Sequence, residues 1–192
     1  MSSSTSPILT VFRAMAHNNA WANHRLFDAC AKLTDSEFRA KRVSFFPSIM
    51  LTLNHSLTVD WFYVDALEGG SLGPKAWQDE SPFPSAGDLL AEQRKVDDRL
   101  IAFCDRLTEP ALGQDTHMNR GDHVQSDRTD KVLLHLFEHQ IHHRGQAHAM
   151  LAGTSVKPPQ LDEFFMTNEA PLRASEFAAL GWKESDIWGG AG

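Results

Sequence analysis

Apolar residues recur at alternating steps of three and four in four separate segments of this 192-residue chain, a spacing that places them on one face of an α-helix. The segments cover residues 8–34, 47–69, 85–107 and 129–151. Typical helix-terminal residues support these limits: Pro47 suits a first turn, Ser85 with Asp88 forms a weak capping box, and Gly153 follows the last segment. No stretch of comparable strength alternates with period two. The chain is therefore predicted to be all-α and to form a four-helix bundle.

The connections between these segments are less regular. The linker at 69–84 holds three of the nine prolines and is long for a helical hairpin, so we expect a crossover between the second and third helices. After Gly153 the tail contains a short helix-like stretch near 174–180, which we expect to pack across the bundle or to take part in a dimer contact. We interpret residues 1–192 as a single domain, since the length suits one domain of roughly 100–200 residues.

Charge and composition exclude several classes of protein. Eighteen Lys and Arg against 25 Asp and Glu give a net charge of −7, with no basic run, which argues against a nucleic-acid partner. No apolar stretch reaches about 18 residues, so no membrane span is predicted. The first residues lack the pattern of a secretory signal. Cys30 and Cys104 lie in helical patterns and are predicted to be buried free thiols, so we expect a cytoplasmic protein.

Histidine is the unusual residue: there are ten, and five of them lie between His135 and His148. His139 and His143 occupy the apolar face of the fourth helix at positions i and i+4, where Cβ atoms are about 5–6 Å apart. Two imidazoles at this spacing can bind one metal ion. The alternative is a pair of core histidines satisfied by hydrogen bonds without a metal.

A metal site needs further ligands, and an open zinc-like site takes three from the protein. His55 in the second helix is the best third candidate, because it is a polar residue flanked by the apolar Leu51 and Val59 one turn away on either side. The predicted ligands are therefore His55, His139 and His143.

Other polar residues near this site receive weaker assignments. His135 lies one turn before His139; we interpret it as a hydrogen-bonded core or supporting histidine, with metal ligation as the alternative. Asp60 is a possible partner for an imidazole nitrogen. Glu138 points about 100° away from His139 and is a poor ligand. The remaining histidines are interpreted as bystanders, two of them in a polar loop: His17, His24, His117, His123, His142 and His148.

Three motifs make the chain similar to a known family. Residues 139–146 (HQIHHRGQ) resemble the HxxxHRGQ signature of the DinB/YfiT-like family, and residues 54–60 (NHSLTVD) resemble its helix-two motif. Residues 19–23 (NAWAN) are similar to its helix-one signature, except that Asn18 stands where an aromatic residue is common. Together these motifs cover all but the third helix and the tail.

The resemblance implies a four-helix bundle, often a homodimer, that holds nickel or zinc through His55, His139 and His143. It further implies a thiol-dependent transferase or isomerase acting on a small molecule, with a low-molecular-weight thiol as cosubstrate. An open metal position can lower the pKa of a bound thiol or water, giving transfer or hydrolysis respectively. No catalytic residue beyond the metal ligands is assigned. The alternatives are a non-catalytic metal-binding or stress-associated bundle, and a metal-free interaction module.

Overall fold

The computed structural model describes residues 6–189 and is dominated by four long helices. These are α1 (Pro7–Cys30), α3 (Ile49–Leu67), α4 (Ala86–Asp105) and α6 (Thr129–Leu151). The shorter elements are α2 (Asp35–Arg39), α5 (Glu109–Leu112), β1 (Asp115–Asn119), β2 (Val124–Arg128), α7 (Ala170–Leu180) and α8 (Glu184–Trp188). The predicted all-α four-helix bundle is confirmed, with one small two-stranded sheet added to it.

The helix limits follow local capping chemistry. Ser85 caps α4 as predicted, because its hydroxyl oxygen accepts a hydrogen bond from the backbone N–H of Asp88. The first helix ends at Cys30 rather than near Thr34, because Thr34 forms a capping box with Glu37 and starts α2 instead. The fourth predicted segment coincides with α6.

The long helices form a ring in which α3 and α4 are parallel neighbours. Hydrogen bonds join Asp60 to Gln93 near the middle of the two helices, and Glu68 to Arg99 further along both, so the two helices run in the same direction. The linker between them must therefore return along the bundle, and its 3-10 turn at Gly73–Trp77 packs against α3. This confirms the expected crossover. Helix α1 runs antiparallel to its neighbour α4, and α6 runs antiparallel to its neighbour α3.

The expected polar loop around His117 and His123 is in fact a β-hairpin, which corrects the sequence interpretation. His117 lies in β1 opposite Ser126, and His123 lies in the connecting turn, where Gly121 adopts a φ of +97°. Burial alternates along both strands, but the buried positions of β1 are Thr116 and Met118, so no apolar alternation marks the strand in the sequence. The inward residue Met118 is buried and seats the hairpin on the bundle.

The tail packs across the outer face of α1. A second, smaller core forms there from buried apolar residues: Ala14, Trp21, Ala22, Phe164, Phe177 and Ile187. Arg25 fastens this contact, since its guanidinium lies 4.2 Å from the Trp21 ring centroid and pairs with Glu163 and Glu176. The first of the two alternatives for the tail, packing across the bundle, is therefore observed.

Both cysteines are buried and free, as predicted. Burial raises the pKa of Cys30 and of Cys104 to about 12, so neither side chain is a thiolate at neutral pH. Among the described helices, none combines the length and the apolar character needed to cross a membrane.

Candidate metal centre

Helices α3 and α6 bring three histidines together. His139 and His143 lie one turn apart on α6, and His55 faces them from α3; one ring nitrogen of each lies within 4.8 Å of the others. The Nε2 atoms of His55 and His139 are 3.1 Å apart. In a tetrahedral zinc site with Zn–N bonds of about 2.0–2.1 Å, neighbouring nitrogens lie about 3.3 Å apart. The observed separation is close to that spacing.

The three imidazoles are held in the neutral form that metal ligation requires. Burial first, and then charge repulsion from His143, lowers the pKa of His55 to about 4. The same two causes lower the pKa of His139 to about 3, and burial lowers the pKa of His143. At neutral pH these rings accordingly present lone pairs rather than charges.

Gln146 fixes the tautomer of His143. Its side-chain N–H₂ donates to Nε2 of His142 at 3.1 Å, which orients its carbonyl oxygen as the acceptor for Nδ1–H of His143 at 2.8 Å. The proton of His143 is then held on Nδ1, and Nε2 keeps its lone pair for a ligand. Gln146 was not predicted to support the site, although its spacing of three from His143 places it on the same face of α6.

The hydrogen-bonding state of His139 tests whether a metal fits. Its Nε2 meets only another imidazole nitrogen, that of His55, and its buried Nδ1 has no partner within the described part of the chain. Two facing imidazole nitrogens can share only one proton. The ring of His143 lies next to this pair, with its centroid 4.4 Å from that of His139. A cation can accept lone pairs from all three rings at once, and imidazole suits zinc and nickel. The residues present therefore fit a divalent ion.

Phe46 forms one wall of this centre. Its ring stacks on His55, with centroids 4.2 Å apart and planes at 28°, and lies edge-on to His143 at 5.6 Å. An apolar wall of this kind limits water access to a metal site. Sequence reasoning missed Phe46 because it lies in the irregular segment before α3, where no periodicity marks a face.

His135 does not belong to the histidine cluster. Its side chain is exposed, its ring centroid is 6.4 Å from that of His139, and it packs edge-on against Tyr63 at 5.2 Å. The prediction of a buried core histidine was wrong, and His135 is also not one of the three grouped histidines. Successive four-residue steps along an α-helix rotate by about 40°, so His135 has turned about 80° away from His143.

Asp60 does not contact an imidazole either, which corrects the second supporting assignment. Its carboxylate accepts hydrogen bonds from the side-chain amides of Gln93, at 2.7 Å, and Gln140. It lies in a buried polar network that joins α3 to the other three long helices. The members of this network are Asn19, Asn23, Asp60, Gln93, Asp97, Gln140 and Arg144.

The two asparagines of the helix-one motif link the opposite charges of this network. Arg144 donates from Nη1 to the side-chain oxygens of Asn19, at 2.7 Å, and Asn23, at 3.0 Å. The amide nitrogens of both asparagines donate to Asp97 at 3.1 Å. Burial raises the pKa of Asp97 to about 7; burial and repulsion from Asp97 raise that of Asp60 to about 8. The network fixes α1, α4 and α6 behind the histidines.

The histidines interpreted as bystanders all lie outside the three-histidine group. One of them is nevertheless buried: His17 packs edge-on against Trp182 at 4.7 Å beneath the tail. His148 contacts the carbonyl oxygen of Pro159 at 2.8 Å and helps to anchor the same tail. These contacts are structural and depend on a tail whose path the sequence does not predict.

Comparisons with known proteins agree with this architecture. The model of the DinB family matches residues 1–176. The chain is 25% identical to Protein DinB of Bacillus subtilis (strain 168), over 78% of this chain and 91% of that protein. A crystal structure of a DinB-like protein from Bacillus cereus ATCC 10987 superposes with a TM-score of 0.56 at 17% identity, over 73% of this chain and 90% of that one. The structural match concerns the fold alone.

Proposed function

Since the chain belongs to the DinB family, we propose that it is a metal-dependent enzyme in which His55, His139 and His143 hold one divalent ion, zinc or nickel. The observation that carries the proposal is the cluster of three neutral imidazoles, two of them with nitrogens 3.1 Å apart. Three protein ligands leave a coordination position open, as in catalytic zinc sites.

When bound, the ion supplies Lewis acidity that lowers the pKa of a thiol or water at that open position. Three neutral imidazoles would leave the ion's charge of +2 uncompensated, so the site favours an anionic ligand. Gln146 keeps the proton of His143 on Nδ1, and Phe46 limits water on the side of His55. The side chains therefore position and shield the reacting group rather than take part in bond formation.

We assign the nucleophile to an external low-molecular-weight thiol and the reaction to group transfer onto it from a small electrophilic substrate. The protein's own thiols do not serve, because Cys30 and Cys104 are buried with pKa values of about 12. In the reaction the thiol gives up its proton, its sulfur forms the new bond, and the electrophile's leaving group departs with the displaced electron pair. The motif resemblance supports a thiol over water, and also a cytoplasmic homodimer.

A non-catalytic metal-binding protein is the second candidate. The position of Phe46, stacked across one ligand, favours it, since a covered ion would serve stability alone. The two functions differ in whether an external ligand can reach the ion.

Cobalt substitution separates these candidates. We expect the Co²⁺-loaded protein to develop a sulfur-to-cobalt charge-transfer absorption band when small thiols are added. We also expect it to transfer the aryl group of chlorodinitrobenzene to at least one thiol in a panel. His123→Ala, which removes an exposed hairpin histidine, is the matched control and should behave as wild type. His55→Ala should lose both signals. Normal cobalt binding without any thiol-dependent absorption or transfer would contradict the enzyme proposal.

A further inference from the structure

We propose that a cavity between α3, the hairpin and α6 binds an anionic oxygen group, a carboxylate or a phosphate, of the small molecule that reacts at the histidine cluster. This inference rests on the proposed function for the role of the bound molecule, but the anion site itself stands on separate residues and can be tested without a metal.

The cavity lies beside the candidate metal centre, since His135 lines it and its ring centroid is 6.4 Å from that of His139. It has a volume of about 300 Å³, and its polar lining comes from α3, the hairpin and α6: Tyr63, Arg120, Gln125, Asp127, Lys131 and His135. His135 lies one turn from His139, and Lys131 lies a further turn away. Eight residues of α-helix span about 12 Å, so the far end of the cavity is about two turns from the histidine cluster.

Arg120 is held in this cavity without a negative partner. Its guanidinium lies 4.7 Å from the ring centroid of Phe62 and 5.9 Å from that of Tyr63. Nε donates to the side-chain oxygen of Gln125 at 2.9 Å, and Nη2 donates to the hydroxyl of Tyr63 at 3.4 Å. Between residues 6 and 189 no carboxylate lies within 4 Å of this guanidinium. Aromatic faces and neutral acceptors fix its position and leave its charge available to a ligand.

Lys131 supplies a second positive charge from the first turns of α6. It forms no ion pair with any described residue, although it lies in a protein whose net charge is −7. Asp127 is the acidic group in the lining, and its carboxylate accepts a hydrogen bond from the amide of Gln125. The cavity therefore carries two positive charges against one negative charge.

These features define the ligand chemistry. An arginine fork binds carboxylate or phosphate oxygens through charge-assisted hydrogen bonds, and a nearby lysine adds a point charge. The bound molecule would place its reacting group at the histidine cluster and its anionic group at Arg120, in the cavity that extends about two turns along α6 from that cluster. Neutral electrophiles and thiols lacking such a group would lose this second contact.

The first test uses metal-free protein, with succinate and inorganic phosphate as probes in calorimetric titrations. We expect at least one anion to bind, and Arg120→Gln to weaken its binding at least about tenfold, the effect of losing one charged hydrogen bond. Lys131→Gln, an exposed change that spares the fold, should also weaken binding. Succinate binding more tightly assigns a carboxylate, and phosphate binding more tightly assigns a phosphate.

Matched control positions lie outside the cavity. Arg106→Gln removes another guanidinium stacked on an aromatic ring, 5.2 Å from Phe103, and Lys95→Gln removes an exposed lysine of α4. Both should bind the probes as wild type does. Failure of both anions to bind, or equal binding by wild type, Arg120→Gln and Lys131→Gln, overturns the anion site.

A second test connects the cavity to the cluster and separates the two proposals. With Co²⁺-loaded protein, mercaptohexanoate should bind more tightly than the neutral mercaptohexanol, and Arg120→Gln should abolish that preference. No sulfur-to-cobalt absorption with either thiol contradicts the proposed function while the succinate and phosphate titrations still decide the anion site. Sulfur-to-cobalt absorption with equal affinity for both thiols overturns the inference that one molecule spans the two sites.

Discussion

Gln146 accepts the Nδ1 proton of His143 through a 2.8 Å hydrogen bond, and the two residues lie three positions apart on α6. This contact gives the last residue of the HRGQ motif a physical role. It holds the ring in one tautomer and one orientation, both of which a metal ligand needs. The histidines alone do not define the centre, because the geometry of their rings depends on such neighbours.

Gln146→Leu should weaken metal binding by about 10–100-fold, the usual effect of removing a hydrogen-bond partner of a histidine ligand. Competition with a chromophoric zinc chelator measures this change. Gln78→Leu, at an exposed position distant in sequence from the cluster, serves as the control and should leave the affinity unchanged. Equal zinc affinity in the two variants would show that Gln146 does not support His143.

Phe46→Ala should speed the loss of bound zinc to excess chelator by about tenfold, because it removes the ring stacked on His55 and admits water. Phe165, in the tail, is 44% exposed and does not pack on Phe46, so Phe165→Ala provides the control. Phe46→Leu should restore most of the slow release, since it restores an apolar wall. Identical rates of zinc release from both alanine variants would show that Phe46 does not shield the ion.

Above about pH 8, where Asp60 and Asp97 are ionised in the folded protein, Arg144→Leu should lower the free energy of unfolding by about 3–5 kcal/mol, since it leaves both carboxylates buried without a compensating charge. Urea denaturation measures the difference. Arg99→Leu removes an arginine from a surface pair with Glu68 and should cost less than about 1 kcal/mol. Comparable losses in the two variants would contradict the assigned role of the buried network.

The same network predicts a pH dependence of stability. The folded pKa values of about 8 for Asp60 and 7 for Asp97 lie above the unfolded value of about 3.9, so the folded protein retains protons that the unfolded chain releases. Stability from this source is complete below the unfolded pKa and is lost as the pH rises through the folded values. Below about pH 6.5 the buried histidines oppose this decline, because they take up protons in the unfolded chain and stay neutral in the folded protein. Above about pH 6.5 the carboxylates determine the slope.

Urea unfolding between about pH 6.5 and 8 therefore should show a falling free energy of unfolding. Asp97→Asn should flatten that decline, whereas Asp115→Asn, at an exposed strand position, should preserve it. Stability that rises with pH across this window in wild type would mean that both carboxylates are already ionised in the folded protein.

The sequence predicts the parts of this structure that depend on helical periodicity. The limits of α6, the i and i+4 pair of His139 and His143, and the long crossover all follow from spacing and linker length. Asp60 was misassigned because α3 has apolar residues on two sides, so its pattern does not show that Asp60 faces Gln93 rather than an imidazole. Phe46 depends on tertiary packing of an irregular segment, and no local pattern encodes that contact.

Elemental analysis of tag-free protein tests most directly whether His55, His139 and His143 hold one ion. The protein is purified without a nickel column, supplemented with zinc, nickel and manganese, and freed of unbound metal. We predict about one zinc or nickel ion per chain in wild type and in His123→Ala, and nearly none in His55→Ala. Fewer than about 0.2 ions per chain in wild type, or full occupancy in His55→Ala, would contradict the three-histidine assignment.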